Sequence, residues 1–181
     1  GRYFTARKAM GELERSVELD PDNGDAAIDL ILIHIRVPIL GDGLEAAERL
    51  TRRLDGRGSP LLPLARGILA FEREKWNQAE EELIGAAGTL EDPRRALFWL
   101  GFLYQRLGRW DDAWETHERL YRLSPRDPRV LYEFARTAEF SGERVALGKK
   151  MIHRYLVSDL PSGAASKEEA RALLERLEDR N

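Results

Sequence analysis

The sequence predicts an all-α fold, an α-solenoid of about ten helices in antiparallel pairs. Three observations lead there. Small, aromatic and leucine positions recur at an offset of 34: Gly67 and Gly101, Trp76 and Trp110, Ala79 and Ala113, Leu97 and Leu131, Gly101 and Ala135, Gly108 and Gly142. No segment alternates apolar and polar residues at period two, so no strand is predicted. Proline- and glycine-containing turns separate stretches of helical length, as in "DPDNG" at 20–24 and "DGRGSP" at 55–60. Self-similarity at such a period marks an array in which each unit covers its apolar face only with its neighbours.

Caps and breakers place the helices near residues 2–19, 25–40, 43–55, 61–74, 76–88, 94–107, 110–123, 128–141, 143–158 and 166–179. The first stretch, "GRYFTARKAMGELERSVELDPDN", reads as the second helix of a repeat whose first helix is absent. The pair at 25–55 carries a weaker version of the pattern, with Leu30, Ile33, Gly41, Ala46 and Leu50, and with His34 where the small residue belongs. The next pair has Gly67, Trp76, Ala79, Leu83 and Ala86, and the one after it Leu100, Gly101, Tyr104, Gly108, Trp110, Ala113 and Leu120.

Within that pair, Gly101 and Ala113 belong on facing helices, where a missing side chain lets two backbones approach. Tyr104 and Trp110 fill the wedge beside them, and Gly108 permits the tight turn. Pro125 cannot continue a helix interior and closes the unit. The pair at 128–158 repeats Leu131, Phe134, Ala135 and Gly142. After the longest connection, "DLPSGAAS", Ser166 and Glu169 form a capping box. The helix behind it puts Ala170, Leu173, Leu174 and Leu177 on one stripe. That pattern suits a solvating cap, or else the first helix of a truncated repeat.

The offset and its residues resemble the tetratricopeptide repeat, a helix–turn–helix unit. The family pattern W-x2-L-G-x2-Y…A-x3-F…P reads here as Leu97, Leu100, Gly101, Tyr104, Ala113, His117 and Pro125, with Leu97 and His117 departing from it. The resemblance covers nearly the whole chain. It implies a single repeat domain over 1–181, with units at 1–24 (partial), 25–59, 60–93, 94–127 and 128–160 and a C-terminal helix at 166–181.

It further implies a superhelix whose concave face is lined by the first helix of each pair, at helix positions 2, 5, 9 and 12. Those positions form one stripe of an α-helix. They read Ile28, Ile31, Ile35 and Pro38, then Leu61, Leu64, Ile68 and Phe71. The third set is Arg95, Phe98, Phe102 and Gln105, with Trp99 beside it, and the fourth is Arg129, Tyr132, Arg136 and Glu139.

The expected partner-binding residues are therefore Ile31, Ile35, Leu61, Leu64, Ile68, Phe71, Arg95, Phe98, Trp99, Phe102, Arg129, Tyr132 and Arg136. The groove should be apolar and aromatic towards its N-terminal half and basic towards its C-terminal half. Chaperone-binding members of the family grip a C-terminal carboxylate with Lys and Asn at positions 5 and 9. Here those positions hold Ile31, Ile35, Leu64, Ile68, Phe98 and Phe102, so that clamp is absent and apolar anchoring of a peptide or helix fits better.

Composition and motifs remove other classes. A net charge of −3 argues against nucleic-acid binding, whose affinity comes largely from phosphate neutralisation. "AAIDLILIHI" is interrupted by Asp29 and followed by Arg36, so no membrane insertion is expected. Arginines alternate with acids in "ERLTRRLDGR" and "RALLERLEDR", the pattern of solvated helix faces.

There is no cysteine, and His34, His117 and His153 form no ligand array; His117 takes a packing slot. "GDGLEA" follows a helix rather than a strand, which voids a phosphate cradle. "DPDNGD" opens like a calcium loop, but Ile31 stands where its bidentate carboxylate would be. The pairs Glu80–Glu81 and Asp111–Asp112 belong to exposed helix starts. No catalytic group, cofactor site or metal site is expected.

The leading reading is a non-enzymatic scaffold for a protein or peptide ligand. The alternatives are a structural assembly module that forms homo-oligomers or packs on missing upstream repeats, and a regulatory domain of a larger enzyme. The start lacks both an initiator Met and a signal-peptide pattern, which leaves the compartment open: cytoplasmic or, if an N-terminal signal was removed, periplasmic. The Arg-rich composition suggests a bacterial source.

Overall fold

The structure, a computed structural model, describes residues 2–37, 43–161 and 164–180, with side chains from Arg7 onward. Among the described residues there are ten helices and no strand, an all-α helical repeat as expected. The helices are α1 (Arg2–Leu19), α2 (Gly24–Arg36), α3 (Gly43–Asp55), α4 (Leu62–Glu72), α5 (Trp76–Thr89), α6 (Arg94–Leu107), α7 (Trp110–Leu123), α8 (Pro128–Ser141), α9 (Val145–Leu156) and α10 (Lys167–Glu178). They gather into two compact units, residues 1–96 and 97–181, divided within the first turn of α6.

In the first unit, consecutive helices from α1 to α5 pack on one another. Asn23 caps α2, its side chain accepting a bond from the Ala26 amide at 3.0 Å. The helix ends at Arg36 rather than near residue 40. Val37, at φ −121° and ψ 73°, has left the helix because it precedes Pro38, whose ring disfavours the helical conformation one residue earlier. The expected extension at 38–40, and Gly41, lie outside the described residues.

Gly67 is where α4 meets α5: a Cβ there would stand 2.7 Å from Leu83 Cγ. α4 stops at Glu72, two residues before the expected boundary. The turn into α5 passes through Glu74 at φ 57°.

The second unit repeats this joint with different chemistry. A Cβ on Gly101 would lie 2.3 Å from His117 Nε2, so the close partner of Gly101 is His117 rather than Ala113. His117 stands 34 residues after Leu83, as Gly101 does after Gly67, so one geometric contact recurs with an imidazole in place of an isobutyl group. The turns recur too. Glu74, Gly108 and Gly142 are spaced by 34 and adopt φ of 57°, 66° and 72°. Glycine takes that left-handed region without strain; glutamate does not.

α8 opens on Pro128 behind Asp127, whose carboxylate accepts from the Arg129 amide at 2.9 Å. α8 and α9 come close at Gly148, where a Cβ would stand 2.5 Å from Ala138 Cβ. α9 begins at Val145 instead of 143, because Arg144 is held at φ 50°.

α10 packs on both α8 and α9. Its capping box is complete, with Ser166 Oγ accepting from the Glu169 amide at 3.1 Å and the Glu169 carboxylate accepting from the Ser166 amide at 2.6 Å. Ala170, Leu173 and Leu177 have no accessible surface, whereas Leu174 is half-buried. The last helix thus covers the apolar side of the last pair, as the stripe required.

Candidate partner-binding face

The expected groove residues of the first unit divide sharply by burial. Ile31, Leu64 and Ile68 have no accessible surface, and neither has Ile28. They are core residues, which corrects the expectation that they line an open groove. α4 shows the reason. Leu64, Ala65, Gly67, Ile68, Leu69 and Ala70 are all buried, so the helix is covered nearly all round. A helix that is hydrophobic on every side belongs to the interior, and a one-stripe reading of it does not apply.

Ile35, Leu61 and Phe71 are half-buried. Leu61 Cδ1 packs where a Cβ of Gly24 would be, 2.8 Å away. Phe71 meets Trp76 edge-on at 5.7 Å between ring centres, across the α4–α5 turn. Arg95, at the start of α6, is spoken for by α2: it pairs with Asp29 and, at 3.2 Å, with Asp25.

In the second unit the expected residues gather on one side of α6 and α8. Phe98 and Phe102, one helical turn apart, are half-buried and meet edge-to-face at 5.4 Å. Trp99 also meets Phe102 edge-on, at 5.8 Å, but is 5% exposed and therefore core, a second correction. The Arg129 guanidinium of α8 lies over the Phe98 ring at 6.0 Å. Tyr132, half-buried on the same stripe, leans on Tyr155 at 5.1 Å, and the Tyr155 hydroxyl donates to the Ala165 carbonyl. Burial first of all raises the Tyr132 pKa, with the Arg136 charge pulling the other way. Arg136 is half-buried and lies 5.4 Å from the centre of the Phe140 ring.

Beneath this face runs a polar network that the sequence reading did not identify. Thr137 donates its hydroxyl to the Glu133 carbonyl at 2.9 Å, a bond back to the preceding turn of α8. Thr137 Oγ1 also accepts from the Gln105 amide at 2.8 Å and, inside the core, shares a hydrogen bond with His117 Nδ1 at 3.0 Å. Gln105 also donates to Glu133 Oε2 at 3.3 Å, and Glu133 pairs with Arg136 at 3.2 Å.

Burial, helped by the Arg136 charge, depresses the His117 pKa from 6.5 to about 3. Gln105 and Glu139, read from sequence as groove positions, are buried as well, and Glu139 pairs with Arg176 of α10. The one available clue was that 105 and 139 are again 34 apart, both polar on otherwise apolar helix faces.

Among the described residues no three His, Asp or Glu side chains are grouped to hold a metal ion. No described helix is long and apolar enough to cross a membrane. The family model of the tetratricopeptide repeat matches residues 94–137, which span α6, α7 and α8 as far as Thr137. No curated protein matches the chain.

Proposed function

We propose that this chain, whose residues 94–137 match the tetratricopeptide-repeat model, is a non-enzymatic scaffold that holds a peptide or helical segment of a partner protein, as repeats of that kind are protein-interaction modules. The segment lies against the face that α6 and α8 present in residues 97–181. One observation carries this reading: Phe98 and Phe102 are left half-buried, edge-to-face, with Arg129 over the Phe98 ring.

Phenylalanine side chains that pack only on one side still have apolar surface to bury, and a ligand side chain seated on them would supply the other half. Binding energy at such faces concentrates in a few aromatic or arginine anchors. The buried Ile31, Leu64 and Ile68 contribute core stability and no contact surface.

The test is the double substitution Phe98→Ala with Phe102→Ala. Peptides enriched on the wild-type chain from a randomised dodecapeptide phage library are the probes. Their affinity should fall about 100-fold, the loss of roughly two anchors, while the circular dichroism melt stays near that of the wild type. A variant that unfolds makes the two rings core. A folded variant that binds the same peptides equally well moves the site elsewhere.

A further inference from the structure

We propose that the occupant of this face is an acidic segment of another protein, read by a row of three arginines that more deeply set carboxylates hold in place; the inference rests on the peptide-binding reading above. The row is Arg129, Arg136 and Arg176. Each is paired, with Asp127 at 2.8 Å, with Glu133 at 3.2 Å and with Glu139 respectively. In all three pairs the cation is the outer member. The arginine side chains are 58%, 33% and 53% exposed, their carboxylate partners 22%, 7% and 12%.

That asymmetry decides what a ligand meets. Glu133 and Glu139 are buried and have to be paired, and half-buried Asp127 grips Arg129 in the same way, so each acid fixes the orientation of a guanidinium from below and leaves the outward side of the pair cationic. The planar guanidinium can meet a second carboxylate with its other edge, and because its rotamers are already restricted, less entropy is lost when it does.

The three cations follow one stripe. Arg129 and Arg136 are seven residues apart on one face of α8, about 10 Å along the axis. Arg176 reaches the same face from α10 at Glu139, a further turn along. Rings interleave with the cations: Phe98 under Arg129, Tyr132 between the two α8 arginines on the same stripe, and Phe140, itself 49% exposed, beside Arg136.

Alternating guanidinium and ring call for acidic side chains interspersed with apolar ones. A nucleic acid is the poorer fit. Phe98 and Phe102 meet edge-to-face, which is not the row of parallel ring faces on which successive bases stack.

The experiment pans the full chain against the same randomised dodecapeptide phage library and reads the composition of the enriched peptides. Two variants run in parallel. One carries Arg129→Gln with Arg176→Gln. The other, which leaves no buried carboxylate unpaired, carries Glu133→Gln, Arg136→Gln, Glu139→Gln and Arg176→Gln.

Wild-type enrichment should favour Asp and Glu beside aromatic or aliphatic residues. An enriched acidic peptide should lose about tenfold in affinity to either variant, and most of its salt dependence with it. Enrichment of neutral or basic peptides that still need Phe98 and Phe102 overturns the acidic preference alone. Peptides indifferent to Phe98→Ala with Phe102→Ala, or no enrichment at all, overturn the peptide-binding face and this inference together.

Discussion

His117→Leu should leave the protein about as stable as the wild type at pH 7 and more stable than it in acid. The imidazole is 1% exposed and occupies against Gly101 the place that Leu83 takes against Gly67, so the joint already has a leucine precedent. At neutral pH the exchange removes one uncharged hydrogen bond, to Thr137, worth about 1 kcal/mol. It adds a comparable amount of apolar burial. Thr137 keeps its bonds to the Glu133 carbonyl and to Gln105. The net effect at pH 7 should lie within about 1 kcal/mol of zero.

Acid separates the two proteins. With a pKa of about 3 in the folded state against 6.5 when solvated, His117 binds a proton in the unfolded chain long before it does so in the native one. The unfolded state is therefore favoured as pH falls below 6.5, and the loss is complete only near 3. The slope is about 1.4 kcal/mol per pH unit, which gives the variant an advantage of about 3 kcal/mol by pH 4.5. Urea denaturation of both proteins at pH 7.0, 5.5 and 4.5, followed by tryptophan fluorescence, measures it; Trp99, Trp110 and Trp114 report on this half of the chain. Carboxylate titration is common to the two proteins and cancels in the difference. Parallel pH dependences would refute the neutral, buried imidazole and the network drawn through it.

Gly101→Ala should lower stability by about 1–2 kcal/mol, the overpacking cost less alanine's better helix propensity; a melting temperature above that of the wild type would show that the His117 ring yields freely. Glu74→Gly should raise stability by about 0.5–1 kcal/mol by relieving a left-handed backbone that Gly108 and Gly142 already serve at the equivalent turns, and thermal melts at pH 7 that show a loss contradict it. Gly85→Ala and Gly88→Ala, on α5 where an added Cβ meets nothing within 4 Å, should each gain about 0.5–1 kcal/mol; destabilisation in the same melts would reveal an unseen close contact. Leu173→Ala, at a fully buried position of α10, should cost about 2–5 kcal/mol, and a cost below 1 kcal/mol would mean that α10 is not part of the packed core.

Helix number and the period of the array were determined by the sequence alone, because they rest on local chemistry. Prolines, caps and left-handed turns act within a few residues, and the capping box of Ser166 and Glu169 forms as the residue types require. Even the early end of α2 follows a local rule, the restriction that Pro38 places on Val37. Which stripe of each helix is outermost is a different kind of property. Ile31, Leu64 and Ile68 occupy the same helix positions as Phe98 and Phe102, yet the first three are fully buried and the last two are not.

Helical geometry assigns all of these a common direction; only the neighbouring helices decide whether something covers them. The same holds for charge. Arg129 and Arg136 were legible as the basic end of the groove stripe, but Arg176 read as an ordinary surface cation, and nothing local tells that Glu133 and Glu139 would be buried beneath Arg136 and Arg176. The identity of the Gly101 contact was likewise open. A glycine announces a close approach, but whether alanine, leucine or an imidazole makes it depends on the crossing of α6 and α7. Burial and pairing are sums over residues far apart in the chain, so they are settled where those residues meet.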